Sequence, residues 1–208
     1  MAMTASLRDQ LLGAADRRPV PPFVLLLPAG WVSVEPTREV FGQLASRASA
    51  VFRSVHRPDL DAQMRSMTER AADEFLRRDP VRLIYQERVP AELMLPLAIT
   101  AVRATEPHGA SLDGRVRALV RDHGARPLDD AGVVMRWVTD GSQELAGGRV
   151  TTRSFNYLIP VPGTGRREAL LFSAVLPTSA GEALDERSIA AYGVLVDAIM
   201  STFRWSGE

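Results

Sequence analysis

Apolar positions recur with a helical period at Leu7 to Ala15 and from Phe41 to Phe75, separated by a strand-like stretch, and the pattern turns mainly to strands beyond Pro80. Leu7, Leu11, Leu12 and Ala15 form a short stripe behind Ser6-Leu7-Arg8-Asp9, a capping-box pattern, so an N-terminal helix is predicted within residues 1–18. Phe23 to Leu27 is a continuous apolar run and reads as a buried strand. Pro28-Ala29-Gly30 turns it into an alternating strand, with Trp31 and Ser33 on one face and Val32 and Val34 on the other. Phe41, Leu44, Ala48, Val51, Phe52 and Val55 then predict a helix over 36–55. Pro58 breaks it. Asp59 can cap a second helix over 60–78, carried by Leu60, Met64, Met67, Ala71 and Phe75, and the two form an antiparallel helical pair.

Beyond Pro80, strands are predicted at Val81 to Val89 and Leu97 to Thr105, followed by a short helix through Leu112, Val116, Leu119 and Val120 that ends at Gly124. Three further strands span Gly132 to Asp140, Arg149 to Val161 and Arg167 to Leu176. Their links, Gly141 to Gly148 and Pro162 to Gly165, are rich in turn residues and suit antiparallel hairpins. A last helix begins near Asp185, with Ile189, Tyr192, Leu195, Val196, Ile199 and Phe203 on its buried side. The strand around Phe172 is apolar on both faces, which predicts a central strand with helices above and below it. The expected fold is α+β, one antiparallel sheet covered by helices, built as a single domain over residues 1–208.

Composition removes several chemistries. All 25 cations are arginine, Cys is absent, and 25 acids balance the charge to zero. Without Cys there is no disulfide, thiolate nucleophile or zinc finger, and without Lys no Schiff base or phosphate-loop lysine. Neutrality argues against a nucleic-acid footprint. The longest apolar run, Pro21 to Ala29, is too short to span a bilayer, and Met1 to Gln10 carries no secretory pattern, so a cytoplasmic location without membrane insertion is expected.

Motifs add little chemistry. His56, His108 and His123 stand apart, none with a second ligand at metal spacing, so no catalytic, cofactor or metal site is expected. No Gly-x-Ser-x-Gly elbow occurs, and Gly147-Gly148 and Gly163-Thr164-Gly165 lie between strands rather than at helix starts. Two features stand out. In Arg149 to Val161, Arg153 shares a face with Phe155, Tyr157 and Ile159, a pattern that either closes an ion pair over a core rim or meets an acidic or peptide partner. The other is the tryptophan set Trp31, Trp137 and Trp205, since aromatic and Arg residues anchor protein interfaces. Trp31, Arg136, Arg153 and Tyr157 are the candidate partner-binding residues.

Leu25-Leu26-Leu27-Pro28-Ala29-Gly30-Trp31 resembles the N-terminal signature of PsbP-like proteins, an apolar strand followed by Pro-x-Gly-Trp. The amphipathic helix through Ile199-Met200-Ser201-Thr202-Phe203-Arg204-Trp205, closing in a short strand, is similar to that family's end. The resemblance implies an α/β/α sandwich and a non-enzymatic binding or assembly role. The helical pair over 36–78 and the N-terminal helix depart from the family pattern. The expected function is a non-catalytic adaptor, chaperone or assembly factor with a protein partner. The alternative is a small-molecule-binding or hydrolytic protein with a pocket between sheet and helices, using His56 or His123 with an acid. A homodimer joined through the Met face of the helical pair is a third reading.

Overall fold

The computed structural model describes residues 19–54, 66, 69–90, 94–107, 110–130, 132–145, 148–178 and 184–206. The strands are β1 (Phe23–Val24), β2 (Trp31–Val34), β3 (Pro80–Gln86), β4 (Ala98–Thr105), β5 (Arg126–Pro127), β6 (Met135–Leu145), β7 (Gly148–Pro160), β8 (Glu168–Pro177) and β9 (Arg204–Trp205). The helices are α1 (Arg38–Ser54), α2 (helical at residues 69–76), α3 (Asp113–His123) and α4 (Glu186–Ser201). Seven strands form one antiparallel sheet in the order β2-β3-β4-β8-β7-β6-β5, and β1 pairs with β9 in a separate ribbon. The chain is therefore α+β, with β8 at the centre of its sheet.

Alternation along the strands divides the core into two faces. On one, Leu170, Phe172, Ala174 and Leu176 of β8 are wholly buried beside Phe155, Tyr157 and Ile159 of β7. Ile189, Val196, Ile199 and Met200 of α4 cover them, together with Phe23, Phe203 and Trp205 of the ribbon region. The Phe23 ring stacks on Phe203 at 5.2 Å and meets the edge of Phe172 at 5.7 Å, so aromatic packing ties both ends of the described chain to the sheet. On the opposite face, Val116 and Leu119 of α3 pack against a cluster holding Trp137, Leu158 and Ala169. That cover is partial, for Val175 of β8 is 43% exposed.

Local chemistry sets the helix ends and close approaches. Asp185 caps α4 by accepting the Ser188 N–H at 2.7 Å, and that bond holds its carboxyl below the ordinary aspartate range. Gly124 closes α3 in the left-handed region at φ 61. A Cβ on Gly193 would lie 2.9 Å from Cε1 of Phe155, so glycine lets α4 sit close on the sheet. Gly30 has φ 82, and a Cβ there would meet the Arg88 carbonyl oxygen at 2.8 Å.

The structure corrects two sequence expectations. Phe23 to Leu27 is not a buried strand of the main sheet: only Phe23–Val24 pair, and they pair with Trp205 and Arg204. Phe23, Leu25 and Leu27 turn inward while Leu26 is 74% exposed. The flanking prolines supply no N–H, and the Leu26 N–H donates to Thr202 Oγ1 at 2.9 Å instead of to a strand. Gly141 to Gly148 is mostly strand rather than link, because the β6–β7 register continues to Leu145 opposite Gly148. Cross-strand pairing overrides the turn-like composition there. The N-terminal helix expected within 1–18, and His56, Met64, Met67 and His108, lie outside the described residues. Where the expected helical pair is described, Phe41 of α1 meets Phe75 of α2 at 5.9 Å. Among the described residues no helix is long and apolar enough to cross a membrane.

Candidate functional site

The four candidate residues fall at three places. Trp31 starts β2, opposite Gln86, and is only 8% exposed within the core. It belongs to one edge of the sheet, whereas Arg136, Arg153 and Tyr157 belong to β6 and β7 near the other. Arg136 and Tyr157 are direct cross-strand neighbours and converge on Asp197 of α4. The Tyr157 hydroxyl donates to Asp197 Oδ1 at 2.6 Å, and Arg136 Nε donates to the same oxygen at 3.0 Å. Burial of the phenol, reinforced by the adjacent Asp197 carboxylate, pushes Tyr157 far above the ordinary tyrosine range. Such a phenol stays protonated and serves as a donor, not as a base.

Arg153 lies further along β7 on the same face. Its Nε donates to Asp140 Oδ1 at 2.7 Å, and its Nη1 to Glu186 at 3.0 Å. The Asp140 bond raises the guanidinium above its usual value. Thus two sheet arginines grip one helix, Arg153 at its first turn and Arg136 near its last. The pairs orient α4 against the sheet, and both guanidiniums are engaged there.

The outer side of α4 is different. Ala190, Ala191, Val194 and Ala198 are exposed, Val194 by 69%, and the helix has no charged residue after Arg187 except the inward-tied Asp197. Leu95, Leu184, Tyr192 and Leu195 flank this side in an apolar groove of about 340 Å³. The Leu26–Thr202 bond brings the backbone of the exposed Leu26 to the end of α4.

Two other hollows carry less chemistry. A cavity of about 90 Å³ lies beneath α3 among Leu112, Val116, Met135, Leu158 and Ala169, with Arg166 on its lining. A cleft of about 430 Å³ near Phe23 carries Arg82 and Arg103 with Glu35 and Asp79. No histidine lines either one. His123 is exposed at the end of α3. Among the described residues no group of three His, Asp or Glu is placed to hold a metal ion.

Sequence reasoning did not single out Asp197, Val194 or Gly193. The signal for Asp197 was available: it is the lone charge in Leu195-Val196-Asp197-Ala198-Ile199, spaced to share a face with Gly193. No protein family, curated protein or solved structure matches the chain.

Proposed function

We propose that this chain is a non-catalytic protein-binding domain, an adaptor, chaperone or assembly factor of the cytoplasm with a PsbP-like α/β/α sandwich. The observation that carries the reading is the outer face of α4. A helix packed on a sheet ordinarily turns charges to solvent, yet this one exposes Ala191, Val194 and Ala198 beside an apolar groove. Exposed apolar surface of this continuity marks protein interfaces. Rigidity supports the same reading: Asp185 caps the helix, Arg153 and Arg136 tie it at two places, and Gly193 seats it closely. A preorganised surface loses less conformational entropy on binding.

The test is affinity capture from host cells with the wild type and with Val194→Glu. The wild type should retain a stoichiometric partner, and the variant should lose it while keeping its melting temperature. Equal retention by both proteins would reject the α4 surface. Absence of any partner together with robust turnover in a substrate screen would reject the whole reading.

A further inference from the structure

The cleft near Phe23 holds no histidine, but its charges are arranged for binding. Pro21, Pro22, Phe23, Pro80 and Val81 give it apolar walls, and its volume of about 430 Å³ falls within the roughly 300–1,000 Å³ of small-molecule sites. Two arginines line it. Arg82 of β3 pairs with Ala101 of β4, so Arg103 lies one diagonal step away on the same face. The two are held differently. Arg103 has a side chain only 10% exposed, with Nε 3.4 Å from Asp79 Oδ2 and Nη1 3.2 Å from Glu168. Its N–H donates to the Asp79 carbonyl at 3.0 Å and secures Asp79 at φ 53, a left-handed conformation uncommon outside glycine. Arg82 is 34% exposed in its side chain, and its Nη1 donates to the Val81 carbonyl at 3.0 Å. Its acidic neighbour, the exposed Glu35, stands 3.7 Å away, and the guanidinium lies 5.7 Å from the Phe23 ring centroid. One cation is thus locked, while the other has an exchangeable partner.

We infer that this cleft binds a short apolar peptide of dipeptide size as its zwitterion, with the carboxylate on Arg82 and the ammonium on Asp79. A planar guanidinium takes a carboxylate through two parallel hydrogen bonds, a closer contact than Glu35 makes at 3.7 Å, so the ligand displaces Glu35. The Asp79 carboxylate beside Arg103 has lone pairs for further donors. The span fits as well. Diagonal cross-strand neighbours lie about 7–8 Å apart, and two extended residues reach about 7 Å, whereas a single amino acid covers about half of that. Charge selects against simpler ligands. An anion alone meets Glu35 and Asp79, and a cation alone meets Arg82, while a zwitterion satisfies both signs without changing the net charge. The walls of proline, Phe23 and Val81 suit apolar side chains. This site shares no lining residue with the α4 groove and stands or falls independently of it.

Leucyl-leucine is the probe, titrated into the full chain and followed by backbone amide resonances. Its dissociation constant should be on the order of 0.2 mM, the value that ordinary ligand efficiency gives a molecule of its size. The resonances of Glu35, Asp79 and Arg82 should shift. Leucyl-leucinamide, which lacks the carboxylate, and N-acetyl-leucyl-leucine, which lacks the ammonium, should each bind at least about fivefold more weakly, and free leucine more weakly still. Arg82→Gln keeps a polar side chain at a partly exposed position, so its melting temperature should hold while leucyl-leucine binding weakens at least about tenfold. If that variant did not fold, the probe series on the wild type would decide alone. No shift at about 10 mM leucyl-leucine, equal affinity for the dipeptide and its amide, shifts confined to the α4 groove, or unchanged affinity in a folded Arg82→Gln would overturn the proposal.

Discussion

Replacing Asp197 with alanine removes the acceptor on which Tyr157 and Arg136 converge. Tyr157 is wholly buried, so its hydroxyl would lose a bond to a charged acceptor; such bonds contribute about 1.5–3 kcal/mol. The Arg136 pair is partly solvated, with side chains 17% and 31% exposed, and adds no more than about 1 kcal/mol. The expected loss is therefore about 2–4 kcal/mol, a large share of the roughly 5–15 kcal/mol typical of a domain. Urea unfolding followed by circular dichroism measures it, with the slope unchanged if the variant retains the same folded surface. Asp197→Asn keeps an acceptor for the phenol and should lose only about 1 kcal/mol. A double-mutant cycle with Tyr157→Phe isolates the shared term, expected at about 1–2 kcal/mol. A loss below about 0.5 kcal/mol for Asp197→Ala, or strict additivity in the cycle, would refute the account of α4 docking.

The raised Tyr157 ionisation makes stability pH-dependent at the alkaline end. The phenol stays protonated in the folded state while the unfolded chain ionises above about pH 10, so its contribution is complete below that value and is lost as pH rises beyond it. Melting curves should fall less steeply with alkaline pH in Tyr157→Phe than in wild type; parallel falls would contradict this. Gly30→Ala places a Cβ against the Arg88 carbonyl at positive φ and should destabilise by about 1–3 kcal/mol in urea unfolding. Gly193→Val presses the Phe155 ring and should cost about 1–3 kcal/mol, with a shift of the Phe155 ring resonances as the local signature. Arg153→Ala removes pairs whose acids are 68% and 80% exposed, so the loss should stay within about 1 kcal/mol; global unfolding would show that the residue carries more of the fold than its contacts indicate.

Periodicity carried much of the fold into view. The α4 face through Ile189, Val196 and Ile199, its start at Asp185 and the Gly124 stop of α3 follow from spacing and capping alone, because those interactions are local. The strand around Phe172 was expected to be buried on both faces; it does occupy the middle of the sheet and is buried on the face bearing Phe172, but on the other face Val175 is 43% exposed. What failed was non-local. Gly141-Ser142-Gln143-Glu144 has the composition of a turn, but its conformation is set by pairing with Arg149 to Thr152. The fate of Leu25 and Leu26 depends on Thr202, 176 residues from the Leu26 N–H it accepts. A pattern read within one segment contains no information about such a partner.

The same distinction relocates the candidate site. An arginine among aromatics on one strand face is compatible with a ligand contact or with an ion pair at the core rim, and the two differ only in what stands opposite. Here α4 stands opposite. Glu186 meets Arg153, and Asp197 meets Arg136 and Tyr157, so the polar groups that looked available for a partner are engaged in fixing a helix. Beyond Arg187, the outward residues of this doubly held helix are alanine and valine rather than Arg or Glu. In a chain that uses arginine for all 25 of its basic residues, the stretch from Ser188 to Thr202 contains none. That local absence, set against the abundance elsewhere, favours the outside of α4 over the strand beneath it as the binding surface.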